Sequence, residues 1–219
     1  FILVDDVLTL YKDHIFGMCD EITGRNLQIT FEGSTRANLI NQEIAEKLKN
    51  AGLIRLSFGL ESADEEIRKT MNKRVPLKYY TRANKILDDL GVECLNSVML
   101  GLPGETRKTI YKTLDFLKND KHIKQANFAI AVPYPGTKFH EYAINEEHGM
   151  KIIDKDFSKY RRYGNAVTNV GDLSAQDLID LQNEGFVRIY SAMWRWKPMF
   201  AKHGILGGVL TLMRVFKLI

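Results

Sequence analysis

From the first residue to about Val132, short apolar runs alternate with stretches of helical periodicity, and glycines stop several of the helices. Phe1-Ile-Leu-Val4 reads as a strand, followed by a helix from Val7 to about Ile22 that Gly24 stops. Leu27–Glu32 alternates with period two, as a strand does, and runs into Gly33–Ala37. A helix over Ile40–Ala51, closed by Gly52, leads to a strand over Leu53–Leu60. Helices over Ala63–Met71 and Leu77–Leu90 precede the strand Val92–Leu100. Thr106 caps a helix to Leu117, and Gln125–Val132 is the fifth strand. Such alternation demands parallel strands joined by right-handed helical crossovers. The expected class is therefore α/β, either an open doubly wound sheet or part of a (β/α) barrel. From His148 onward the pattern changes. Lys151–Val170 is polar and irregular, a helix runs from Ala175 to about Arg195 with a break at Pro198, and the end is apolar and basic.

Several function classes are disfavoured. With 219 residues, 45% hydrophobic and 26% charged, the chain has the composition of an ordinary globular domain. No apolar run reaches the ~18 residues that span a bilayer. Cys19 and Cys94 form no CxxC or other ligand spacing, which favours a reducing compartment and a cytoplasmic location. The net charge of +4 is uneven: residues from Lys151 onward carry 11 Lys+Arg against 6 Asp+Glu, and nothing acidic follows Glu184. These basic residues are few and scattered, so no nucleic-acid partner is expected. No GxGxxG or GxxxxGK[ST] phosphate loop is present. The chain opens inside a strand without an initiator Met, as a segment of a longer protein would.

Parallel strands place all their carboxyl ends on one rim, where α/β proteins bind ligands. That rim would collect Asp5, Asp6, Glu32, Arg36, Ser57, Glu61, the Gly101-Leu-Pro-Gly104 turn and Pro133-Tyr-Pro-Gly-Thr137. Each has an ordinary reading too. Asp6 can cap the helix behind it, Arg36 can be a surface charge, Glu61 can offset a helix dipole, and the Pro-Tyr-Pro-Gly turn needs no function. Their convergence is what points to a site.

The succession Phe1-Ile-Leu-Val-Asp-Asp6, Thr35-Arg-Ala-Asn38, Ser57-Phe-Gly-Leu-Glu-Ser62, Met99-Leu-Gly-Leu-Pro-Gly-Glu-Thr106 and Pro133-Tyr-Pro-Gly-Thr137 resembles the radical S-adenosylmethionine (radical SAM) enzymes. The similarity is to the branch often preceded by a cobalamin-binding domain. It implies a partial (β/α) barrel of six strands, of which this chain holds the last five: a truncated core over residues 1–147, then an irregular linker and helical extension over 148–219. It implies S-adenosylmethionine as cofactor. Asp5 and Asp6 would face its methionine part, Glu61 its ribose or methionine part, and Lys73 its carboxylate. Met99 to Gly101 and Val132 to Tyr134, Pro133 included, would flank the adenine by apolar contact and backbone hydrogen bonds. Ser57 and Arg36 join the cofactor-binding set, Arg36 without an assigned role. The implied activity is formation of a 5′-deoxyadenosyl radical for hydrogen abstraction or methyl transfer on a small-molecule substrate, with an electron donor as partner.

One departure matters. The family's CxxxCxxC supplies three thiolates to a [4Fe-4S] cluster, since such clusters take sulfur ligands, and no such motif occurs here. The cluster ligands, and any cobalamin domain, would have to lie upstream. The alternative is a cluster-less barrel fragment acting as a binding or partner module. The tail, Tyr190-Ser-Ala-Met-Trp-Arg-Trp-Lys-Pro-Met-Phe200 and then Gly204 to Met213, suits either peripheral membrane contact or a C-terminal helix whose apolar face covers the core. The second reading is the plainer one.

Overall fold

A computed structural model describes residues 1–192 and 195–215. The elements are α1 (Lys12–Gly24), β1 (Phe31–Thr35), α2 (Gln42–Asn50), β2 (Leu53–Glu61), α3 (Glu65–Thr70), α4 (Leu77–Asp89), β3 (Glu93–Leu100), α5 (Arg107–Asn119), β4 (Gln125–Ile130), α6 (Lys138–Ile144), β5 (Met150–Ile152), β6 (Thr168–Val170), α7 (Ala175–Tyr190) and α8 (Trp196–Val215). The first four strands form a parallel sheet in the order β1-β2-β3-β4, and β5 and β6 form a separate antiparallel pair. No closed barrel is formed among the described residues; the sheet is a partial barrel. Contacts group the chain into two compact units. One comprises Phe1–Leu60, Arg74–Ser97 and His122–Gln125; the other comprises Glu61–Lys73, Val98–Lys121 and Ala126–Ile219.

In the first unit, the expected opening strand shrinks to a single parallel bridge, Ile2 to Glu32, supported by Leu3 N–H to Glu32 O at 2.9 Å. Only four of the five expected strands are therefore full strands of the sheet. The helix expected from Val7 starts at Lys12 because residues before it are otherwise engaged. The Asp5 carboxylate accepts from Val7 N–H at 2.9 Å, Leu8 N–H donates to Ser34 O at 2.8 Å, and the Thr9 and Thr35 hydroxyls meet at 2.6 Å in a buried position. Asp5, rather than Asp6, is thus the residue that caps this turn. β1 starts four residues later than expected and ends three later. It takes in Gly33, where a Cβ would lie 2.8 Å from Leu8 Cδ2, so this glycine marks a close approach within a strand and not the end of one.

Along β2 and β3 the side chains alternate. Leu56, Phe58, Leu60, Cys94 and Asn96 are buried, while Arg55, Ser57, Glu93 and Ser97 are half-exposed on the other face. The buried face is apolar apart from Asn96, whose amide exchanges hydrogen bonds with that of Asn84 on α4 at 2.8 and 3.0 Å. On the opposite face Arg55 bridges Glu93 (2.7 Å) and Glu32 (3.1 Å), and its bond to Glu93 raises its already high pKa further.

In the second unit, the stretch expected to be irregular contains the β5–β6 hairpin, with α6 ahead of it. Gly185 of α7 rests 3.2 Å, measured from a built Cβ, from the Phe128 ring. The tail differs from expectation too. Pro198 does not break a helix. It is the third residue of α8, within the first turn, where its missing N–H costs nothing. The interruption comes earlier, after Tyr190. There Arg195 is buried and donates to Leu117 O (2.6 Å) and Ile189 O (3.1 Å), satisfying carbonyls at the ends of α5 and α7. Burial pulls its pKa down to about 10. Among the described residues, no helix is long and apolar enough to cross a membrane.

Candidate functional site

The end of β2 carries the most distinctive geometry of the second unit. Glu61, the last residue of the strand, has φ of 64°, left-handed backbone that a non-glycine residue adopts at a cost of roughly 1–2 kcal/mol. What holds it there is the loop behind it. Ser62 Oγ lies 3.2 Å from Thr113 Oγ1, the same hydroxyl accepts from Ala63 N–H at 2.9 Å, and buried Arg68 donates to Ser62 O at 2.8 Å. Asp64 caps α3 by accepting from Glu66 and Ile67 N–H, which together with Lys112 favours its charged form against the burial that opposes it. After this short helix Asn72, also left-handed at φ 52°, turns the chain back, and Lys73 N–H donates to Arg68 O at 2.8 Å. The turn delivers Lys73 Nζ to 3.5 Å from Glu61 Oε1, with both side chains about a quarter exposed. That spacing exceeds the ~2.7–2.9 Å of a tight charge-assisted bond. The pair can therefore take a ligand's opposite charges without first breaking a strong contact.

The end of β3 works differently. Gly101 (φ 80°) turns the chain, and a Cβ there would lie 2.9 Å from Leu178. Glu105, four residues on, folds its side chain back so that Oε2 accepts from both Gly101 N–H (2.7 Å) and Leu102 N–H (3.1 Å). The carboxyl is fully buried, and desolvation, with a smaller contribution from Asp64, raises its pKa to about 8 against the opposing pull of the two N–H bonds. The Gly101 N–H is thereby occupied within its own turn, so a backbone hydrogen bond from this turn to a ligand would use another group. Met99 remains available for apolar contact, packed with Met71 and Phe139 against Ile67, Leu102 and Ala131.

At the end of β4, Pro133 is buried and its carbonyl lies 2.9 Å from His140 Nδ1. Since a carbonyl only accepts, His140 Nδ1 carries the proton of this bond. Tyr134 is 46% exposed and donates its hydroxyl to Tyr160 O at 3.2 Å. Glu105, His140 and Tyr160 were not among the candidates read from the sequence. Glu105 had a local signal, a carboxylate four residues behind a turn glycine; the other two had none.

In the first unit, Asp5 and Asp6 are exposed in the turn before α1, Arg36 is exposed directly after β1, and Ser57 is half-buried on β2. Arg36 thus follows a strand end, Ser57 lies in the middle of β2 and not at its carboxyl end, and Glu61 and Lys73 are brought into one contact. It offers no cluster site: among the described residues no three His, Cys, Asp or Glu side chains are grouped to hold a metal. Cys19 and Cys94 are buried, and burial raises both thiol pKa values, the reverse of what a thiolate ligand needs. A [4Fe-4S] cluster does not fit the residues present.

Comparison with known proteins bears on the family and the fold. An uncharacterised methyltransferase of Pyrococcus horikoshii is 28% identical over 204 residues, covering 93% of this chain and 43% of that protein. The anaerobic magnesium-protoporphyrin IX monomethyl ester cyclase of Rubrivivax gelatinosus is 28% identical over 179 residues, 81% of this chain and 30% of that protein. The chain thus spans less than half the length of these relatives. Among solved structures, the radical S-adenosylmethionine methyltransferase TsrM of Kitasatospora setae, with cobalamin and a [4Fe-4S] cluster bound, shares the fold. Its TM-score is 0.62 at 16% identity, over 71% of this chain and 33% of that one. The family profile of the radical SAM superfamily matches residues 4–117, more than half of the sequence, and the chain belongs to that superfamily of enzymes.

Proposed function

We propose that this chain is the carboxyl-terminal part of a radical SAM catalytic domain of the cobalamin-associated branch. It would bind S-adenosylmethionine beside a [4Fe-4S] cluster whose ligands lie outside this stretch. The observation that carries the reading is the Glu61–Lys73 pair. A half-buried carboxylate and ammonium held 3.5 Å apart by a strained strand end match the amino-acid end of S-adenosylmethionine, which presents one ammonium and one carboxylate. When bound, the cofactor supplies methyl-transfer or one-electron chemistry; this chain's residues bind and orient it. Lys73 holds the carboxylate, Glu61 the ammonium, and Met99 gives an apolar wall. Methyl transfer to a small-molecule substrate is the favoured reaction, because a matching relative and a structural neighbour are methyltransferases. An electron donor and a cytoplasmic setting belong to the same proposal.

The test uses the intact protein, including any sequence preceding Phe1, reconstituted with iron and sulfide without oxygen. It should show cluster absorption and bind S-adenosylmethionine. Lys73→Ala should raise its Kd at least about tenfold, as loss of a charged hydrogen bond does, while Lys73→Arg should recover part of that loss. No cluster and no binding would overturn the proposal; binding unmoved by Lys73→Ala would overturn the residue assignment. The alternative, a cluster-less binding module, draws on the missing thiolate site and is supported if the intact protein also carries no CxxxCxxC.

A further inference from the structure

Over residues 204–210 of α8 the described side chains do not all turn inward. Gly204 interrupts the helix with φ 67° and ψ 177°. Beyond it the glycine side turns inward: a Cβ on Gly208 would fall 2.2 Å from the Phe200 ring, so only glycine allows that approach. The residues left facing outward are Ile205 (81% exposed), Leu206 (75%), Val209 (41%) and Leu210 (38%). Their i, i+1, i+4, i+5 spacing puts all four on one stripe. Over residues 204–210 the helix buries Gly208 and exposes these four branched aliphatics, and a contiguous stripe of this kind marks an interaction surface.

The charge pattern says what covers it. Nothing acidic follows Glu184, while Arg188, Arg195, Lys197, Lys202, Arg214 and Lys217 do. Arg188 pairs with Asp115 and Glu184, and Arg195 is spent on backbone carbonyls. In the sequence, Lys197, Lys202, Arg214 and Lys217 flank the aliphatic stripe, with no acidic residue anywhere between them. A second copy of this chain would bring like charges together. An anionic bilayer surface supplies both complements, apolar depth for the stripe and negative headgroups for the cations. Because no described helix is long and apolar enough to span a membrane, the helix would lie in the interface plane. We propose that residues 205–210 of α8 form a peripheral docking surface for anionic lipid bilayers, a property separate from cofactor binding.

Flotation of the full-length protein with vesicles tests this. It should float with vesicles of equal parts phosphatidylcholine and phosphatidylglycerol, far less with phosphatidylcholine alone, and less again as salt screens the headgroups. Leu206→Glu with Leu210→Glu should lower bound protein roughly tenfold or more. Ile144→Glu, an equally exposed apolar site on α6, should change nothing. Leu206→Ser with Leu210→Ser is the milder second pair, expected to weaken binding about threefold, and circular dichroism confirms that each variant folds. No flotation with anionic vesicles, or flotation that neither pair weakens, would overturn the proposal. So would self-association in sedimentation velocity that the paired substitutions abolish without lipid, since that assigns the stripe to a second copy.

Discussion

Two strand ends of the second unit each present a glutamate, and the two do opposite work. At the end of β3, Glu105 is fully buried, spends one oxygen on the N–H groups of its own turn, and is held near neutrality by desolvation. At the end of β2, Glu61 is about a quarter exposed, sits in left-handed backbone, and touches Lys73 only loosely. The first glutamate closes a turn. The second keeps charge available at the cost of backbone strain. Glu61 ends its strand while Glu105 lies five residues past the end of β3, so the same side chain near two successive strand ends meets two different surroundings. What distinguishes the two is whether the surrounding backbone consumes the carboxylate.

The comparison breaks most visibly with pH. A carboxyl whose folded pKa stands at about 8 against an ordinary 4.5 binds its proton more tightly when folded. Stability is then fully present below about pH 4.5 and is lost as pH rises through about 8, by up to roughly 5 kcal/mol. Denaturant unfolding at about pH 5 and about pH 9 reads this. Glu105→Gln keeps an oxygen for both N–H groups, so it should match the wild type in acid and exceed it in alkali. A wild type whose stability stays flat over that window would show that Glu105 ionises at no cost. Glu105→Ala should be worse than the wild type in acid, losing about 2–4 kcal/mol by orphaning two buried donors and opening a cavity, and that deficit should close in alkali, where ionisation of Glu105 destabilises the wild type. Next in size is Gly101→Ala. Left-handed backbone and the 2.9 Å approach to Leu178 should together cost about 2–3 kcal/mol, read as a lowered unfolding midpoint.

How legible this was in the sequence depends on how local the cause is. β2, α4, β3 and α5 lie within a few residues of their expected bounds, because period-two runs, Thr106 as cap and Gly91 as stop all act within one turn of chain. Expectations failed where a distant partner decides. Gly33 is expected just past the end of a strand but is a strand residue making room for Leu8. Pro198 reads as a breaker but stands in a first turn, since Arg195 had already ended the preceding segment by reaching the carbonyls of α5. The site shows the same division. The spacing that brings Lys73 back to Glu61 was readable by resemblance, whereas the left-handed Glu61 and the consumption of the Gly101 N–H depend on tertiary hydrogen bonds that leave no periodic trace.

The smallest predicted effect sharpens the comparison best, because it moves stability and binding in opposite directions. Glu61→Gly removes the cost of left-handed backbone, roughly 1–2 kcal/mol, and gives back part of it through the greater freedom of an unfolded glycine. The loose pair with Lys73 adds little, as half-exposed ion pairs do. The net result should be a gain of about 0.5–1 kcal/mol in unfolding free energy. Binding of S-adenosylmethionine by the reconstituted intact protein should weaken about tenfold, because the carboxylate is gone. Glu61→Asn is the companion variant: Asn tolerates left-handed backbone better than Glu, so it should regain stability too, without restoring charge. If Glu61→Gly instead destabilises the protein and leaves binding intact, the strain at the end of β2 is not the expense of a binding group, and Glu61 belongs with Glu105 as a fixture of its own turn.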